Sequence, residues 1–172
     1  AAAQITIGTG TMGGFHKIIR FGISDAAIVA TARTFIGISS NTAAATNVEP
    51  STLLNSVGVG HGAADTNFKI FYGGSTAQTP IDLGANFPSN TSNTDVYELG
   101  LFSSPSEDNI IHWEFRRLNT GHVASGTIVG NGGIILPANS TLLTYAQNWR
   151  SNNATAAVVA LDIMSDYIET DS

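Results

Sequence analysis

GFHKIIRFGISD, residues 14–25, places Phe15, Lys17, Ile19, Phe21 and Ile23 on one face of an extended chain and His16, Ile18, Arg20, Gly22 and Ser24 on the other. A period of two carried by aromatic and β-branched residues is the signature of a strand. This reading decides between two folds. The ten residues ITIGTGTMGG (5–14) have the Gly8-x-Gly10-x-x-Gly13 spacing of a dinucleotide-binding loop. Such a loop works only when its last glycine opens a helix whose amides meet a pyrophosphate. Here a strand follows instead. About 20 residues on, where a ribose-binding acid is expected, lies TARTF, whose nearest charge is Arg33. The glycines read as a turn between two strands.

Working outward, similar runs recur: ARTFIGISS (32–40), NSVGVGH (55–61), NFKIFYG (67–73), DVYELGLFSS (95–104), IIHWEFRRLN (110–119), VASGTIVG (123–130), LLTYAQNWR (142–150) and AAVVALDIMSDYIET (156–170). Clusters of Gly, Asn, Pro and Ser separate them, and no long segment has a 3.6-residue period. This predicts an all-β chain, an antiparallel β-sandwich of jelly-roll-like form. One short helix is expected in VEPSTLLNS (48–56), with Pro50 at its first position and Leu53 and Leu54 packing inward. Tyr97, Leu99 and Leu101 alternate with Val96, Glu98 and Gly100, and Ile111, Trp113 and Phe115 with His112, Glu114 and Arg116, so one face of each strand is dry. AAVVALDIM (156–164) is apolar on both faces, which suits a central strand or one whose outer face meets another subunit.

The composition narrows the function. With 172 residues, 42% of them hydrophobic, the chain has the core of one β-sandwich domain, in which residues 1–13 are a linker or a leading strand. Charged residues are only 12%, about half the usual share, whereas Ser, Thr and Asn number 49 and Gly 18. The surface is therefore polar but sparsely charged. Net charge is −6 and no basic run exists, so a nucleic-acid partner is not expected. The absence of cysteine removes disulfides and thiolate zinc sites. The longest apolar run, AAVVAL (156–161), is too short for membrane insertion as a spanning helix. The opening AAAQITIG has no initiator Met and no signal core, so the chain is expected to be a fragment of a longer protein. Sequons at Asn90, Asn139 and Asn153 are expected by chance at this composition.

No catalytic, metal or cofactor constellation is legible. His16, His61, His112 and His122 lack metal-ligand spacing, and there is no HExxH, nucleophile elbow or EF-hand loop. Asp162 and Asp166 are placed on one face of a strand, but four residues separate them by roughly 13 Å, beyond the ~5 to 9.5 Å of glycoside hydrolysis. Glu98 and Glu114 come closer if their strands are neighbours. For binding, sugars call for an exposed aromatic ring beside short polar groups, helped by multivalency. Trp113 alternates into the core. Trp149, in YAQNWRSNNAT (145–155), stands with Tyr145, Asn148, Arg150 and Asn152 at a strand end, and is the expected ligand-binding ring, against a reading in which it caps the sandwich. The second candidate is GVGHGAADTN (58–67), where His61, Asp65 and Asn67 converge on a ligand or, as Asx residues in Gly-rich turns usually do, bond their own backbone.

NVEPSTLLNSVGVGHGAADTNFKIFYGG (47–74), IDLGANFPSNTSNTDVYELGLF (81–102), RLNTG (117–121) and LDIMSDYIET (161–170) together resemble a module in the distal parts of tail fibres and tail spikes of tailed bacteriophages. The resemblance runs from Arg33 to Thr170 and carries no active-site residues with it. It implies a virion-attached, extracellular, homotrimeric module that touches the host surface: a non-enzymatic receptor-binding module for a host cell-surface glycan. A purely structural fibre or capsid-decoration domain and a glycan-cleaving tailspike domain are the alternatives.

Overall fold

The computed structural model describes residues 4–43, 47–152 and 157–170. Its strands are β1 (Gln4–Ile5), β2 (Phe15–Ile23), β3 (Ala32–Ser39), β4 (Ser56–His61), β5 (Lys69–Gly73), β6 (Ile81–Asp82), β7 (Val96–Ser103), β8 (Ile110–Arg117), β9 (His122–Val129), β10 (Leu143–Asn152) and β11 (Leu161–Thr170). They form two antiparallel sheets, one of six strands in the order β1-β10-β3-β4-β5-β6 and one of five in the order β11-β2-β7-β8-β9. The sheets pack face to face as a sandwich. All nine predicted strand runs are present. The two-residue strand β1 falls in the segment expected to be a linker or a leading strand, and β6, equally short, is missed because it shows no period. The helix shrinks to a single 3-10 turn, Pro50–Thr52, with Pro50 at its start. Leu53 packs inward as expected, while Leu54 is exposed.

The glycine-rich segment is a turn. Gly10, Gly13 and Gly14 adopt positive φ, and the chain enters β2 directly, so no helix amides are offered to a phosphate. In β2, Phe15, Ile19, Phe21 and Ile23 enter the core, and Lys17 is buried with them. Its ammonium donates to Asp166 of β11, and burial holds its pKa below the ordinary lysine value, partly offset by that hydrogen bond. The centre of the core is an aromatic group: Phe68 lies 4.8 Å from Tyr97 and 5.4 Å from Phe115, ring centre to ring centre, and Phe21 lies 5.8 Å from Phe68. Close ring pairs of this kind add to the area that they bury.

Two expectations about the C-terminal run are corrected. Of the two readings of the apolar run, the central strand is excluded, since β11 is an edge strand, and Ile163, Met164 and Tyr167 are exposed on it. Asp162 and Asp166 do not share a face. A register shift between Ile163 and Ser165 sets Asp162 opposite Gly22, on the outer side of the sheet, and Asp166 opposite Ile19, on the inner side. One extra residue in a strand reverses the alternation beyond it.

Candidate functional site

Trp149 is not the exposed platform predicted. It is 9% exposed and its ring lies tilted against Phe35 at 6.3 Å, with Phe71, Val48 and Leu53 completing a small apolar cluster on the outer face of the six-stranded sheet. The glycines of β3 and β4 make this packing possible: a Cβ on Gly58 would sit 2.8 Å from the Phe35 ring. The polar context of Trp149 in the sequence reflects its strand neighbours, which point the other way. Tyr145 packs against the main core. Asn148 accepts from the Gly37 amide and reaches toward Asp166. Asn152 donates to the Ala157 carbonyl and accepts from Thr31.

The structure does bring Arg150 and His61 together, but between the sheets. The Arg150 guanidinium binds Asp25 through Nε and Nη2, the Asn90 amide oxygen (2.9 Å), Thr34 Oγ1 (2.7 Å) and His61 Nε2 (2.8 Å). Side-chain exposure of the Arg150–Asp25 pair is 1% and 0%. Since a guanidinium only donates, His61 Nε2 accepts and its proton sits on Nδ1, which donates to the Gly62 carbonyl (3.1 Å). Burial, with the Arg150 charge beside it, pushes His61 down to about 4. Asp65 accepts from the Gly62 amide (2.8 Å) and from Lys69 (2.6 Å), which is the turn-stabilising role. Asn67 faces Asp82 instead. His61 is buried and engaged with Arg150, while the half-buried Asp65 and Asn67 are bonded to other partners, so the three side chains do not converge on one ligand position.

A groove of about 540 Å³ lies elsewhere, on the outer face of the five-stranded sheet. The register builds it in rows across the strands. His16, Phe102, His112 and Thr127 form one row; Ile18, Gly100, Glu114 and Ser125 the next; Arg20, Glu98, Arg116 and Val123 the third. Phe102 is 43% exposed. His16 meets its ring edge-on at 5.9 Å and His112 lies nearly parallel to it at 6.0 Å. His112 donates from Nε2 to Glu107 (2.7 Å), since a carboxylate can only accept, and Thr127 holds its Nδ1 at 2.9 Å. These bonds set the His112 imidazole as one wall beside the phenyl ring, and His16 forms the other by its edge-on contact. On the far side of the groove, Arg20 pairs with Glu98 (2.5 Å) and Arg116 with Glu114 (2.6 Å).

This arrangement combines an exposed apolar ring, hydroxyls, and carboxylates that accept hydrogen bonds, all on rigid strands. It suits a ligand with flat C–H faces and many hydroxyls. Glu98 and Glu114 are brought near one another, as diagonal neighbours on adjacent strands. The sequence missed Phe102 as a candidate, although the inward alternation of Tyr97, Leu99 and Leu101 already placed it outward. Its flanking histidines come from other strands, and only the register shows that they are its neighbours. Among the described residues, no three His, Asp or Glu side chains gather as a metal site.

No family model matches the sequence and no curated protein matches it. Solved structures do. The chain is similar to lectin II of Ulex europaeus in a complex with galactose, with a TM-score of 0.63 and 12% identity over 99% of this chain and 78% of that one. It is also similar to the enzymatically active domain of tailspike protein 2 of bacteriophage CBA120, with a TM-score of 0.56 and 16% identity over 99% of this chain and 24% of that one. A third likeness is to the CBM2 module of an evolved Dit of Lactobacillus casei BL23 phage J-1, with a TM-score of 0.55 and 12% identity over 95% of this chain and 66% of that one. At such identities the shared property is the fold, a lectin-like β-sandwich.

Proposed function

We propose that this chain is a non-enzymatic, glycan-binding module of a bacteriophage tail, one that attaches the virion to a host cell-surface polysaccharide. The observation that carries the reading is the groove on the five-stranded sheet, with Phe102 exposed between His16 and His112. The lectin-like fold and the similarity to two phage tail structures support the same reading, as does the sparsely charged Ser/Thr/Asn-rich composition.

Binding without cleavage is supported by the partners of the two groove carboxylates. Glycoside hydrolysis needs one carboxyl group to deliver a proton, whereas Glu98 and Glu114 are each held against a guanidinium. Homotrimeric assembly through sheet surfaces is supported by the apolar side chains that β11 and its approach leave exposed: Val158, at 82%, with Ile163, Met164 and Tyr167. Avidity across three copies then raises a weak single-site affinity.

The test is adsorption of the purified protein to host cells and to their extracted polysaccharide, with light scattering for assembly and a reducing-end assay for cleavage. Phe102→Ala is expected to lose binding by roughly tenfold or more while keeping the wild-type melting temperature. Normal binding by that variant rejects the groove, and release of reducing ends by the wild type rejects the non-enzymatic reading.

A further inference from the structure

Gly100 lies at the middle of the groove floor, and nothing in the fold asks for glycine there. Most other strand glycines are compelled by their surroundings. A Cβ on Gly37, Gly58 or Gly60 would fall 2.2, 2.3 or 2.1 Å from a carbonyl oxygen of the neighbouring strand, and one on Gly126 would enter the Trp113 ring at 2.7 Å. Gly100 has no positive φ, and the nearest atom to a Cβ built on it is the Glu114 carbonyl oxygen at 3.9 Å. Among the described glycines without positive φ it has the most room: a Cβ on Gly22, the next most open in a strand, would already meet the Asp95 carbonyl oxygen at 3.2 Å. Glycine inside a strand weakens the strand, because it loses the most backbone freedom on folding and packs nothing. A side chain is missing where the fold has room for one and would gain from it, so the space has another use.

We infer that Gly100 is the specificity-determining floor of the groove, on which a ring of a neutral oligosaccharide chain lies across the strands. This deepens the glycan-binding reading above and rests on it. The groove is lined from His16 on β2 to Thr127 on β9, which spans four strands and therefore roughly 14 Å. That length takes a short run of linked rings rather than a single one. The lining is matched to a neutral chain. It carries Glu98 and Glu114 against the one guanidinium of Arg116, and Arg20 at its edge is already paired with Glu98. An acidic sugar would meet two carboxylates and no unpaired guanidinium. Phe102 at one wall takes a C–H face, and Glu98, Glu114, Ser125 and Thr127 take hydroxyls.

The experiment places wild type, Gly100→Val and Phe102→Ala on an array of immobilised neutral hexose oligosaccharides, from single rings to hexamers, with uronic-acid counterparts, and records thermal melts of each protein. Wild-type binding is expected to rise from one ring to about three and then level off, and to be roughly tenfold weaker on the acidic set. Gly100→Val is expected to melt at or above the wild-type temperature and to bind roughly tenfold more weakly or worse, because its branched side chain occupies the floor. Wild-type affinity in Gly100→Val, with Phe102→Ala impaired, overturns the role of Gly100 and leaves the glycan reading standing. Loss of folding in Gly100→Val also overturns it, since the glycine would then be structural. Preference for the acidic set or for single rings overturns the ligand class. A wild type that binds no glycan on the array or on host cells overturns the glycan reading and this inference together.

Discussion

The two outer faces of this sandwich use the same ingredients to opposite ends. On the six-stranded sheet, Gly37, Gly58 and Gly60 make a hollow that the protein fills itself with Phe35, Phe71 and Trp149, under Val48 and Leu53. On the five-stranded sheet, Gly100 makes a hollow that nothing fills, and Phe102 stands beside it half in solvent. A glycine in a strand thus means either that another part of the chain needs the space or that something outside does. The neighbours of the absent Cβ tell which. The aromatic rings follow the same division, since Trp149 is packed in a cluster on one outside face and Phe102 stands exposed on the other.

The contrast is broken or sharpened most strongly below the six-stranded sheet. Arg150→Ala leaves Asp25 buried without its partner and strips donors from His61, Thr34 and Asn90. The expected loss is about 4 kcal/mol, measured by urea denaturation. A loss within the range of a surface substitution would show that the inter-sheet network is not what fixes that side. Trp149→Ala is expected to cost about 3 kcal/mol and to leave glycan binding per folded molecule unchanged. Loss of binding by a folded Trp149→Ala protein would place the site on the face of the six-stranded sheet instead.

The same side is expected to be acid-sensitive. His61 is held near pH 4 inside the protein, against an ordinary 6.5, so between those values the unfolded chain takes up a proton that the folded chain refuses. Stability from this group is complete above about pH 6.5 and falls as pH drops toward 4, by about 3 kcal/mol in all. Urea denaturation at pH 7 and pH 4, with the His61 ring resonances followed by NMR, checks this. Titration of that ring near 6.5 would break the account. The smallest expected change in stability is on the other face, where Phe102→Ala should shift it by no more than about 0.5 kcal/mol while removing binding. A melting temperature well below wild type would mean that Phe102 is packed rather than presented.

Much of this architecture is local and therefore legible in sequence. The alternation in GFHKIIRFGISD is a property of consecutive side chains on a pleated strand, and it rejects the nucleotide-binding reading of the glycines before it without reference to the rest of the molecule. The inward sets Tyr97, Leu99, Leu101 and Ile111, Trp113, Phe115 follow from the same rule, and so does the β-sandwich. The errors share one cause. Whether Trp149 is exposed depends on Phe35, Gly58 and Leu53, which are distant in sequence. The faces of Asp162 and Asp166 depend on one extra residue in the pairing of β11 with β2. Whether His61 is a surface ligand or an interior acceptor depends on where Arg150 arrives from another strand. By itself the sequence determined which residues alternate, and hence the strands and the sandwich, because that information lies within each strand. Only the tertiary structure decided the register that sets His16, Phe102 and His112 side by side and leaves Gly100 uncovered, because register is fixed by contacts between segments that no local pattern encodes.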